Sequence, residues 1–277
     1  MPDTSTPPTI RIRPASGWTA LDLASVWEYR ELAYYMVWRD IKVRYKQTVL
    51  GVGWALIQPL ASMVVFTVVF GRLAQLPSEG IPYPLFTMAA LLPWQLFANA
   101  FTGAANSVAS NAGVITKVYF PRLIVPLSAV AATLVDFAVS LVLLAGLMIW
   151  YGVPFGPNLM FLPIFALIAM LTALAAGLWS AALNVKYRDV RYVLPYLLQL
   201  WLFVSPVAYS ITLVPERYQA SYGLNPLVGV IQGFRWALFG GESPWPLLLG
   251  SVLATMVFLI GGFYYFRRAE NAFADFV

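Results

Sequence analysis

The sequence predicts an all-α, polytopic membrane protein. It has six transmembrane helices, an amphipathic helix at the cytoplasmic surface ahead of them, and a re-entrant helical segment before the last span. Three observations carry this. Only 10% of the 277 residues are charged, against 60% hydrophobic and 16% aromatic, which leaves too little polar surface to cover a soluble core. The apolar residues fall in runs of roughly 20, the length that crosses a hydrocarbon core of about 30 Å. Lysine and arginine are also shared unequally between the connections of alternate sides.

Residues 1–27 read as a Pro/Thr-rich cytoplasmic tail with Arg11 and Arg13 but no apolar signal-peptide core, so the first span acts as the insertion signal. Residues 28–46 hold the densest charge. On a helical wheel Ala33, Tyr34, Val37, Trp38, Ile41 and Tyr45 share one face, with Glu31, Arg39, Lys42 and Lys46 opposite. This predicts an interfacial helix with aromatics at headgroup depth. Residues 47–277 form the transmembrane domain, with spans expected at about 50–71, 84–104, 124–150, 159–183, 193–211 and 246–266. Residues 105–113 follow the second span and include Asn106, Ser107, Ser110 and Asn111. They read as too polar for lipid. In the connection at about 215–239, Asn225-Pro226 starts a helix. The apolar run that follows is too short to cross, which predicts a re-entrant or interfacial segment.

With the N-terminus inside, fourteen of the seventeen Lys and Arg residues lie on the cytoplasmic side. Arg72, Arg217 and Arg235 lie outside. The positive-inside rule therefore predicts both termini in the cytoplasm. A seventh crossing would strand Arg267-Arg268 on the wrong face. The net charge of +5 thus follows topology and is not a nucleic-acid footprint.

Histidine and cysteine are both absent. The chain has no disulfide framework, no thiol nucleophile and no imidazole base, which weakens any case for catalysis or metal binding. No G-x-x-x-x-G-K-[ST] occurs, so the chain has no P-loop to cradle nucleotide phosphates. Gly229 and Gly233 fit a helix-packing motif that also arises by chance.

Two stripes stand out within the spans. The first span carries Trp54, Gln58, Ser62, Phe66 and Phe70 at intervals of four, and the fifth carries Tyr192, Tyr196, Gln199 and Phe203 on one face. Aromatic rings stack on sugar C–H faces and amides bond hydroxyls, so the stripes suit a glycan path. The same residues also serve as helix packing or as an interfacial belt. Asp136 is the one charge in the third span, and no other span offers it a Lys or Arg. That leaves protonation, hydrogen bonding or a subunit-interface role, with a structural role favoured over proton coupling. Residues 110–127, SNAGVITKVYFPRLIVPL, run from polar through basic to aromatic-Pro. Alone they read as a connecting loop.

Four segments in order, LGVGWALIQPL, KVYFPRLIVPL, LNVKYRDVRYVLPYLLQLWLFVSPVAY and GLNPLVGVIQGFRWALFG, resemble the permeases of polysaccharide and polyol-phosphate export ABC transporters. The texture is most similar to the O-antigen exporters. The resemblance covers residues 28–266. It implies a homodimer in the bacterial inner membrane, among membrane lipids, bound to two copies of a cytoplasmic ABC ATPase. That partner would bind ATP and Mg, and this chain would hold no cofactor. The cargo implied is a lipid-linked polysaccharide, passed along the first and fifth spans. A coupling helix is implied at about Asn111–Arg122, with Asn111, Lys117, Tyr119, Phe120 and Arg122 facing the ATPase. Arg39 and Lys42 of the interfacial helix are expected to join that surface. Capsular polysaccharide and teichoic acid exporters share this architecture. A membrane enzyme acting on polyprenyl-phosphate sugars is the reading from another class. A proton-coupled secondary transporter using Asp136 is a third.

Overall fold

The computed structural model describes residues 23–46, 53–187 and 189–270, and all its regular elements are helices. A short helix α1 (Leu23–Glu28) leads into α2 (Arg30–Lys46). Next come α3 (Gly53–Phe66), which continues as a π-helical stretch over Thr67–Leu73, then α4 (Tyr83–Ser110) and the single turn α5 (Ala112–Ile115). The third apolar run is interrupted: α6 (Ile124–Ala132) and α7 (Leu134–Trp150) meet at Thr133. A 3₁₀ turn at Pro157–Phe161 opens α8 (Leu162–Lys186), and α9 spans Val190–Val204. The chain finishes with α10 (Glu216–Tyr222), α11 (Pro226–Phe239) and α12 (Trp245–Glu270).

Among the described residues, five stretches are long and apolar enough to cross a membrane: Gly53–Leu73, Tyr83–Ser110, Ile124–Trp150, Pro157–Lys186 and Trp245–Glu270. The fifth span expected from sequence, about 193–211, corresponds to the shorter α9. It stops where Ser205-Pro206 turns the chain extended, since proline disfavours helix at the residue before it. The second span differs in the other direction. α4 runs unbroken through the polar residues expected to lie beyond lipid, because those residues sit on one edge of a helix whose other faces are buried.

The core forms around α4. Gly177 of α8 lets the two backbones close, and a Cβ there would sit 2.5 Å from Ala104 Cβ. α12 covers the far side of α8: Trp179 stacks on Tyr265 with ring centroids 4.8 Å apart, and Thr172 and Thr255 share a hydrogen bond of 2.9 Å. α11 lies along the first half of α12, its Gly229 N–H donating to Ser251 Oγ at 3.0 Å, while Gly233 sits against the Phe165 ring. Both glycines of the predicted packing motif therefore mark close contacts. By contrast, α3 and α9 expose most of their apolar side chains at the edge of the bundle.

Two ends can be told apart. At one end Asn184 donates to the Ala105 carbonyl at 3.1 Å, and Arg122 donates to the Glu270 carbonyl. These contacts gather the ends of α4, α8 and α12, and the basic residues near them, on one side. The opposite end holds an aromatic cluster of Phe161, Trp236 and Trp245, with centroids 5.4 to 5.9 Å apart, and Tyr83 donates there to the Ala208 carbonyl. Such tryptophans suit an interfacial belt.

Candidate functional site

A cavity of about 890 Å³ opens between the C-terminal half of α2, the start of α3, one edge of α4 and the junction of α6 with α7. The α4 edge explains its character. Gln95, Asn99, Thr102, Asn106 and Ser110 recur at intervals of four, three, four and four, which keeps them on one face. Phe97, Ala100, Phe101, Ala104 and Ala105 point away into the core. Trp54 and Gln58 of α3 contribute to the cavity wall, as does Asn111 at the end of α4. Sequence reading singled out the α3 pair and not the α4 edge. The signal was present as helical spacing of amides, but a polar tail after an apolar run is also how a span ends.

The charges lining the cavity are matched. Arg39 pairs with Asp40 at 2.7 Å. Asp136, in the first turn of α7, accepts from the Arg44 guanidinium and from the Tyr45 hydroxyl. A carboxylate at that position is also favoured by the N-terminal end of the helix dipole. Burial pushes the Tyr45 phenol up to about 12, helped by its hydrogen bond to Asp136 and by that residue's negative charge. Tyr45 thus stays a donor at any physiological pH. Asp136 has a cationic partner after all: it comes from α2, which does not span, and so escaped a search confined to the spans.

On α2 the aromatic face leaves Tyr34 and Trp38 exposed, whereas Met36 is buried, with Leu32 and Ala33 partly so. Packing against α6, not the periodicity of aromatics, decides which side of α2 faces inward. Arg39 turns into the cavity, and Lys42 stays exposed with its ammonium 5.2 Å from the Trp38 ring centroid.

The remaining predicted residues lie elsewhere. Phe66 and Phe70 pack on each other, 5.3 Å between centroids, farther along α3 than the cavity. Tyr192, Tyr196, Gln199 and Phe203 are all exposed on α9 and do not line the cavity. In the segment after α4, Ile115 and Phe120 are buried as anchors while Lys117, Val118 and Tyr119 project outward. Arg122 is held to the end of α12: its side chain donates to the Glu270 carbonyl, and its backbone N–H donates to the Glu270 carboxylate at 3.3 Å.

One residue near the opposite end was missed. Arg235 of α11 is buried with 3% exposure, donating to the Tyr209 and Val207 carbonyls at 3.2 and 3.1 Å, with its guanidinium 3.6 Å from the Phe86 ring centroid. It clamps the turn after α9 onto the core. A single arginine in an apolar run was the available signal, and the topological count used it only as a charge on the outer side, within the re-entrant segment.

Residues 31–239 match the family described as ABC-2 type transporter. The chain is 30% identical over 253 residues to the O-antigen export system permease protein RfbA of Myxococcus xanthus, covering 89% of this chain and 96% of that protein. It is 27% identical over 242 residues to an RfbA of Klebsiella pneumoniae, covering 86% and 91%. It is also 25% identical over 242 residues to the polysialic acid transport protein KpsM of Escherichia coli, covering 84% and 92%. With three quarters of its length inside one family match, this chain belongs to the ABC-2 type transporter family.

Proposed function

We propose that this chain is the channel-forming permease subunit of an ABC transporter that exports a lipid-linked polysaccharide of the O-antigen type across the bacterial inner membrane. It does so as a homodimer, with two copies of a separate cytoplasmic ATPase that bind ATP and Mg. The observation that carries this reading is the similarity to O-antigen export permeases along nearly the whole of both chains.

The physical picture is consistent with it. α9 is the fifth of six crossings, and α10 with α11 forms a re-entrant pair on the outer side. Trp201 of α9 donates to Asn225 at 3.0 Å and the Tyr222 hydroxyl to the Val204 carbonyl at 2.8 Å, so the turn between α10 and α11 dips beside the end of α9. Both termini face the cytoplasm, as the gathering of basic residues at one end supports. The exposed stripes on α3 and α9 meet a second copy about a two-fold axis, closing a path that one copy leaves open. Lys117 and Tyr119, projecting from the segment anchored by Ile115 and Phe120, meet the ATPase together with Lys42. ATP binding there shifts the balance between closed and open channels.

Capsular polysaccharide is the second reading, favoured by the KpsM relatives. The test is deletion of the gene, with surface and intracellular glycan analysed separately, together with affinity purification from native membranes. Loss of O-antigen from the surface, its accumulation inside, and co-purification of a Walker-type ATPase in equal amount are expected. Normal surface glycan, or transport by the chain without any ATPase, overturns the reading.

A further inference from the structure

The cavity beside α4 is built from groups that are polar, open and electrically balanced. Of the five carboxamides that line it, those of Asn106 and Asn111 donate to helix carbonyls, which leaves three, from Gln58, Gln95 and Asn99. Among the described residues none of them makes a side-chain hydrogen bond within the chain, although neighbouring Thr102 and Asn106 do, at 2.8 and 2.9 Å to helix carbonyls. An amide left without partners in lipid costs several kcal/mol. The wall therefore faces water or a ligand that both donates and accepts. A sugar hydroxyl does both, as a carboxamide does. Trp54 on the same wall offers a flat apolar face. The lining also contains two arginines and two aspartates, paired as Arg39–Asp40 and Arg44–Asp136. No surplus charge remains to hold an anionic polymer or to repel one.

We propose that Gln95 and Asn99 of α4, with Gln58 and Trp54 of α3, form a recognition subsite for an uncharged pyranose chain. Specificity in this permease is then set partly by α4, and the cargo is a neutral glycan and not a polyanion. The subsite follows the helix, so successive sugars meet successive amides, each of which exchanges one hydroxyl for the next without a fixed charge to trap the chain. The volume lies within the range of about 300–1,000 Å³ found for small-molecule sites, and one copy of the subsite engages a short stretch of polymer. The inference rests on the polysaccharide-export reading above.

The test is complementation of a deletion strain with the full-length chain and its own ATPase. The variants are Gln95→Leu/Asn99→Leu and the isosteric Gln95→Glu/Asn99→Asp, with membrane abundance and ATPase co-purification measured alongside. Export is expected to fall about five- to thirtyfold in the leucine pair, the size of losing two neutral hydrogen bonds, with glycan accumulating inside. The acidic pair, which keeps shape but loses both donors, is expected to fall at least as far, and it decides the matter if the leucine pair fails to accumulate. The glycan retained by the deletion strain, once its polymer is cleaved from the lipid carrier and its phosphate, is expected to pass unbound through an anion-exchange column. Wild-type export from the acidic pair at normal abundance overturns the subsite, and retention of the polymer on the column overturns its neutrality. If the deletion itself leaves surface glycan unchanged, it is the export reading that falls.

Discussion

Separating Asp136 from its partners on α2 loosens the wall of the cavity, and a double-mutant cycle measures by how much. Side-chain exposure is 19% for Asp136 and 39% for Arg44. The pair is therefore neither a surface ion pair, worth about 0.2–1 kcal/mol, nor a sealed one whose breakage costs about 3–5 kcal/mol. Arg44 can recover much of its hydration when Asp136 is removed. Asp136 recovers less when Arg44 is removed, but keeps the Tyr45 hydroxyl. A coupling of about 1–2 kcal/mol follows, between those limits. The four proteins, wild type, Arg44→Ala, Asp136→Ala and the double variant, are to be purified full length and unfolded in mixed micelles of increasing denaturing detergent, followed by tryptophan fluorescence. Additive effects within about 0.3–0.5 kcal/mol, the spread expected of independent sites, would show that the contact does not hold α2 to α7. The same comparison in export assays asks whether a loosened α2 disturbs transport.

Four further outcomes are expected. The Tyr45 phenol titrates near 12 in the folded protein against an ordinary value of 10; its contribution is present below pH 10 and is lost as pH climbs from about 10 to about 12, and Tyr45→Phe should flatten that part of the stability profile. Gly177→Val should cost about 1–3 kcal/mol or more, because a Cβ already meets Ala104 at 2.5 Å; membrane accumulation reads this out, and normal levels would refute the close packing of α4 and α8. Arg122→Glu sets a carboxylate beside Glu270 and should lower ATPase stimulation and export together; unchanged values count against a mechanical role. Tyr196→Ala and Phe66→Ala should impair export while the complex stays assembled, and normal surface glycan in both removes the α3 and α9 stripes from the path.

Apolar run length and the placement of lysine and arginine made the all-helical, multi-span character legible, since both follow from what a bilayer permits. What stayed hidden depended on tertiary contact. Nothing local to Asp136 announces Arg44, 92 residues earlier in the chain. The buried face of α2 is chosen by α6, and no wheel of α2 alone contains that helix. The cavity was half visible: Trp54 and Gln58 stood out as an aromatic–amide stripe, while Gln95 and Asn99 passed as the dilution of an apolar run, although their spacing of four was there to be read. The role of Arg235 stayed hidden because a rule about lipid boundaries counts its charge and says nothing of the backbone carbonyls it holds.

The interruption at Thr133 gives a single crossing two sets of neighbours. Both halves pack on α4, but α6 also meets α2 and α7 also meets α3, and at the joint Thr133 donates its amide to Val130, one residue short of the helical register. A rod bends first where its ladder is broken. A load placed on Arg122, two residues before α6, therefore bends the crossing at Thr133 first and shifts Ala129 and Ala132, which line the cavity.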